Sequence, residues 1–131
     1  MKCEPVAIGY LERFVADSAR ITGKAGNISG KNNDTKIAVV GSGPCGLSVA
    51  GEMAKLGYDV TVFEALHEIG GVLKYGIPEF RLPNDIVDNE IESLRQSGVK
   101  FITDIVIGKP ISYEDLVNDG FKGIFVASGA G

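Results

Sequence analysis

Six residues, GSGPCG at positions 41–46, constrain this chain more than any other stretch. The turn follows an apolar, β-branched run, KIAVV, and opens a helix-compatible run from Pro44 to Leu56. Its glycines have separate tasks. Gly41 lets the backbone leave a strand sharply, Gly43 removes a Cβ where a phosphate would approach, and Gly46 lets the helix pack close to the sheet. The helix N-terminus then presents the free N–H groups that follow Pro44, beginning with that of Cys45, and the positive end of its dipole to an anion. The dipole is worth only about 0.3–1 kcal/mol, so direct N–H contacts carry most of the binding.

A glycine turn alone is a weak signal, but here the spacing continues. Ala50 and Gly57 come next, and a second apolar run, YDVTVFE, ends on Glu64, about twenty residues beyond the turn. Strand, turn, helix and strand make a βαβ unit of a parallel sheet with a right-handed crossover. A carboxylate at the end of the second strand accepts hydrogen bonds from ribose hydroxyls and repels a 2'-phosphate, which disfavours NADP at this turn. Cys45 reads as a small residue filling the turn rather than a reactive thiolate. His67 is the only histidine and makes no metal site by itself.

The flanks complete an α/β, Rossmann-like parallel sheet with flanking helices. Apolar residues at Ile8, Leu11, Phe14, Val15 and Ala19 have helical spacing, so 1–21 is an N-terminal helical segment. Residues 22–35, rich in Gly and Asn, read as a flexible linker, and 36–131 as the first part of the dinucleotide-binding domain. Within it, NDIVDNEIESLRQS predicts a helix, VKFITDIVIG a third strand with a bend at Asp104, SYEDLVND a short helix and KGIFVASGAG a fourth strand. A chain of 131 residues, 44% of them hydrophobic, allows one compact domain. The net charge of -4, without a basic cluster, argues against nucleic acid and an anionic membrane surface. Glu4, Pro5, Glu12 and Arg13 interrupt any signal or membrane-spanning core, and Cys3 and Cys45 support neither a disulfide nor a metal site. A cytoplasmic protein is expected.

The segment beyond Glu64 indicates which dinucleotide is bound. A plain NAD-binding unit would soon enter another helix. Here Gly70 and Gly71 open a long irregular segment, which can bring backbone against a second pyrophosphate face or a flavin. FAD is therefore favoured. Two other readings stay open: an NAD-dependent dehydrogenase domain, and a non-enzymatic interaction module docking through its N-terminal helix.

The stretch from GSGPCG through GGVLKYGIPEFRLP resembles the flavin-binding module of the glutamate synthase small (beta) subunit family, with its ferredoxin oxidoreductase and dihydropyrimidine dehydrogenase relatives. EPVAIGYLERFVAD is similar to the helix before that module, and FVASGAG to its ATGAG segment, so the likeness covers nearly the whole chain apart from the linker. It implies that Gly41, Gly43, Pro44, Cys45 and Gly46 hold the FAD pyrophosphate, Cys45 standing for the usual alanine, and that Glu64 binds the adenosine ribose. It further implies that Gly71 and Val72 line the flavin side, Arg81 contacts FAD, Val106 meets the adenine through its backbone, and Gly129 closes over the cofactor. The implied activity is NADPH-dependent oxidoreduction, with electrons passing through FAD to iron–sulfur centres. A large subunit or a ferredoxin-type protein would accept them. The family's cysteine-rich region and NADPH domain have no counterpart in this sequence, so it is expected to be a portion of a larger protein. FAD affinity of tens of micromolar at best and self-association through an exposed sheet edge are the corresponding expectations. No residue reads as a general acid, base or nucleophile.

Overall fold

A computed structural model describes residues 7–22 and 33–129. Most of the linker expected over 22–35, together with Cys3, lies outside the described residues. The elements run α1 (Ile8–Thr22), β1 (Lys36–Val40), α2 (Pro44–Lys55), β2 (Asp59–Phe63), α3 (Val72–Tyr75), α4 (Asn84–Gln96), β3 (Lys100–Ile102), α5 (Tyr113–Asn118) and β4 (Phe121–Val126). The strands form one parallel sheet in the order β3-β2-β1-β4, so β1 and β2 lie at its centre.

The central strands read as continuous apolar runs because both their faces are covered. Val39, Val60 and Val62 pack with Ala50 and Ala54 of α2 on one side. Ala38, whose side chain points the other way, packs with Phe63 and Leu116 of α5. Helices thus flank the sheet on both faces. Between α2 and α4, a third cluster joins Leu47, Ile69, Val87 and Ile91. Leu116 is nearly inaccessible to solvent, a burial worth about 1.5–3 kcal/mol. A capping box holds its helix, with Ser112 Oγ accepting from the Asp115 N–H and the Asp115 carboxylate accepting from the Ser112 N–H.

Two segments differ from the sequence expectation. The third strand stops at Ile102, short of the expected run to Gly108, and the bend expected at Asp104 takes a positive φ of 60°. There the backbone leaves its ladder to cross the end of β2: the Asp104 N–H donates to the Leu66 carbonyl and the Ile105 N–H to that of Glu64. The segment after Gly71, expected to be irregular, contains the single-turn helix α3. Lys74 of α3 reaches Asp88 of α4, so an ion pair as well as packing fixes that turn.

Candidate functional site

The C-terminal ends of β1 and β2 open into a cleft of about 940 Å³. This is the upper part of the usual range for small-molecule sites, roughly 300–1,000 Å³. Its floor is the turn between β1 and α2. Gly41 has a φ of 103°, and a Cβ there would strike the carbonyl of Ala127 beyond β4, so a bulkier residue would force two strand ends apart. Gly46 sits beneath, where an added Cβ would collide with the Gly41 carbonyl. At Gly43, by contrast, a Cβ would meet nothing within 4 Å: the space above it is open cleft. The turn is tight where it faces protein and bare where it faces the cavity.

One wall is the loop after β2. Gly71 adopts φ 51° and ψ -128°, and a Cβ on it would lie 3.1 Å from the Gly43 Cα. The glycine pair therefore rests directly on the phosphate-type turn. The Gly70 N–H donates to Ser42 Oγ at 2.9 Å, and Ser42 Oγ–H donates to Glu64 Oε2. The Ser42 N–H donates to the same carboxylate oxygen at 2.9 Å, while the Leu66 N–H donates to Glu64 Oε1 at 3.0 Å. Both Ser42 and Glu64 are buried. Burial pushes the Glu64 carboxyl upward, but the bonds from Ser42, Leu66 and Ala65 outweigh it and hold the group below its ordinary value of 4.5. The carboxylate therefore keeps its charge at neutral pH.

Of the residues singled out in the sequence, Gly41, Gly43, Pro44, Cys45, Glu64, Gly71, Val72, Val106 and Gly129 all line this one cleft. Cys45 is exposed, with a free thiol. Gly46 supports the turn from behind. Arg81 is not part of the lining: it is exposed in the bend before α4, its N–H donating to the Pro78 carbonyl. The kink at Asp104 brings Val106 to the cleft, flanked by Ile105 and Ile107. Sequence reasoning alone does not single out Ser42. A hydroxyl between two glycines of a buried turn needs a partner, and that requirement is the available signal. Among the described residues no group of three or more His, Cys, Asp or Glu could hold a metal, and no helix is long and apolar enough to cross a membrane.

A parallel sheet flanked by helices, with its cleft where a glycine turn meets an acid-terminated second strand, defines an α/β Rossmann-like domain of the dinucleotide-binding class. Residues 5–120 match the model of the pyridine nucleotide-disulphide oxidoreductases, and the chain belongs to that family. It is 37% identical to the small chain of NADPH glutamate synthase from Bacillus subtilis, over 95% of this chain and 25% of that one. It is 36% identical to the beta subunit of an NADP-dependent formate dehydrogenase from Moorella thermoacetica, over 96% of this chain and 21% of that one. With the PreT subunit of an NAD-dependent dihydropyrimidine dehydrogenase from Escherichia coli it shares 38% identity, over 86% and 27%. The chain thus spans about a quarter or less of the length of the first two and a little over a quarter of the third. The likeness to the glutamate synthase small subunits read from the motifs is borne out.

Solved structures agree on the fold. Histamine dehydrogenase from Rhizobium sp. superposes with a TM-score of 0.61 at 27% identity, covering 79% of this chain and 15% of that one. FprA from Mycobacterium tuberculosis, solved in complex with NADPH, gives 0.66 at 22% identity, covering 75% and 23%.

Proposed function

We propose that the cleft is the FAD site of an NAD(P)H-dependent oxidoreductase, of which this chain supplies the adenosine and pyrophosphate half. One observation carries the reading: the bare face of Gly43, the glycine pair and the charged carboxylate of Glu64 converge on a single cavity. The residues fit the group. Gly43 offers backbone without a Cβ, the start of α2 offers unpaired N–H groups to a pyrophosphate, and Glu64 offers a carboxylate to ribose hydroxyls. The carboxylate also disfavours a 2'-phosphate here, which assigns any NADPH site to another part of the protein. Apolar walls from Phe63, Val72 and Ile105 to Ile107 exclude water from an adenine or flavin edge. Gly71 and Val72 line the flavin side, Val106 presents backbone to the adenine and Gly129 closes the cleft opposite. A contact of Arg81 with the cofactor, implied by the family likeness, would require this exposed side chain to turn toward a cleft that it does not line here.

Bound there, an isoalloxazine supplies both two-electron hydride chemistry and one-electron transfer; the protein supplies position and field. In the whole protein the cleft would then stand between NADPH and iron–sulfur centres, with a large subunit or a ferredoxin-type acceptor beyond. The glutamate synthase and formate dehydrogenase relatives support that role, since both are named as subunits of nicotinamide-linked enzymes. N-terminal helix, linker and nucleotide domain would then be successive segments of one cytoplasmic electron-transfer protein.

The test is titration of the purified chain with FAD and separately with NAD, following flavin fluorescence. Saturable FAD binding in the tens of micromolar, abolished in Gly43→Val and weakened about tenfold in Glu64→Ala, is expected. Preferential binding of NAD would overturn the reading of the glycine pair.

A further inference from the structure

Ser42 lies at the junction of three pieces of the cleft that are far apart in sequence. Its backbone belongs to the turn after β1, its N–H and Oγ–H both end on Glu64 Oε2 after β2, and its Oγ accepts from Gly70 of the loop beyond. The side chain is completely inaccessible to solvent, so these bonds form without competition from water. Every hydrogen-bonding capacity of the hydroxyl that matters here is used: one proton donated, one lone pair filled.

The consequence for Glu64 is directional. Oε2 is occupied by the two donors of Ser42, and Oε1, steadied by the Leu66 N–H, is the oxygen left to meet a ligand hydroxyl in the cleft. Without the Ser42 hydroxyl the carboxylate would keep only backbone donors, from Ser42, Leu66 and Ala65, and would be aimed less firmly. The Gly70 N–H would lose its acceptor in the same step, loosening the loop whose Gly71 rests on Gly43.

Resting on the cofactor reading above, we propose that Ser42 is a positioning residue. Through its buried side chain it aims the Glu64 carboxylate at the cofactor ribose and docks the Gly70–Gly71 wall onto the pyrophosphate turn. It acts through Glu64 and Gly70, not by contact of its own hydroxyl with the cofactor. The other ionisable groups near Glu64 do not take this role. His67 and Glu68 come after it on the same loop, Asp104 meets that loop only through its backbone, and Cys45 lines the cleft from α2. None of them is a cause of the depressed Glu64 titration, which reflects burial outweighed by the bonds from Ser42, Leu66 and Ala65.

The experiment is a double-mutant cycle on FAD affinity in this chain, paired with carboxyl NMR of Glu64. Ser42→Ala should weaken FAD binding about tenfold, which is about 1.4 kcal/mol. In a Glu64→Ala background the same substitution should cost about threefold or less, because only its tie to Gly70 remains. Independently of any cofactor, the Glu64 carboxyl should titrate upward toward 4.5 in Ser42→Ala, and the Gly70 amide should exchange faster. Ser42→Cys, similar in size but a weak donor, should reproduce these changes if Ser42→Ala proves poorly folded.

Unchanged Glu64 titration in both variants would overturn the proposal whatever happens to FAD. A moved titration with unchanged FAD affinity would reduce Ser42 to a structural tie and overturn it too. Equal losses in the native and Glu64→Ala backgrounds would show that Ser42 does not act through Glu64, again against the proposal. A shifted titration in a chain that binds no FAD up to ~1 mM would instead sink the cofactor reading, and the positioning role with it.

Discussion

Two helices of this chain, α1 and α2, share an apolar periodicity, yet their fates differ. In α2, Gly46, Leu47, Ala50 and Ala54 are buried against the sheet and α4. In α1, Leu11 and Phe14 stay 55% and 70% exposed, and the helix shares no extended interface with another described element. The difference teaches that periodicity announces an apolar face without naming what covers it. For α2 the cover is written into the neighbouring sequence: two strands joined by a glycine turn leave the helix nowhere else to lie. For α1 no adjoining described segment supplies one.

That contrast can be broken at its strongest point first. Gly46→Ala should destabilise the domain by about 2–4 kcal/mol, because the new methyl meets the backbone carbonyl of Gly41, which cannot yield as a side chain would. Chemical denaturation measures it; a loss below about 0.5 kcal/mol would mean that the α2–turn contact is slack. Most of that contact is legible in the sequence. The three glycines, the strand before them and the helix after them all emerge from local spacing. The collision partners do not, since Ala127 beside Gly41 and Gly43 beside Gly71 come from other parts of the chain.

A smaller effect tests the polar centre of the same region. Glu64→Gln should cost about 1.5–3 kcal/mol at neutral pH, the usual worth of hydrogen bonds to a charged group. Because the folded-state carboxyl titrates below 4.5, its stabilisation is complete above that value and is lost as pH falls through the lowered one. The gap between wild type and Glu64→Gln in thermal melts should therefore narrow under acid conditions. A gap that is constant with pH would mean that the charge plays no part. Glu64 itself is readable as a strand-end acid, but its burial and its bonds to Ser42 and Leu66 are not, because they depend on how the turn folds back over β2.

The smallest effect belongs to the exposed helix. Phe14→Ala should change stability by less than about 0.5 kcal/mol, as for other exposed positions. A loss of several times that would show that α1 packs on something in solution and would erase the contrast with α2. The sheet has a comparable open side at β4, an edge strand on which Val126 is half exposed. Unpaired strand edges attract further strands, which keeps self-association or a continuing sheet open to measurement by sedimentation.

Short-range patterns were enough to specify the parallel α/β class, the order of its main elements, the glycine turn and the acid that ends β2. Each of these depends on the period of apolar residues or on backbone freedom at single positions, and both are local properties. Tertiary structure alone decided that β3 ends at Ile102, that the bend expected at Asp104 ties back to Leu66 and Glu64, and that Arg81 stays outside the cleft. It also decided that Ser42 ties three segments together. Such outcomes rest on carbonyls, amides and buried hydroxyls finding partners many residues away, and a partner's position in space is not a property of the sequence around either group.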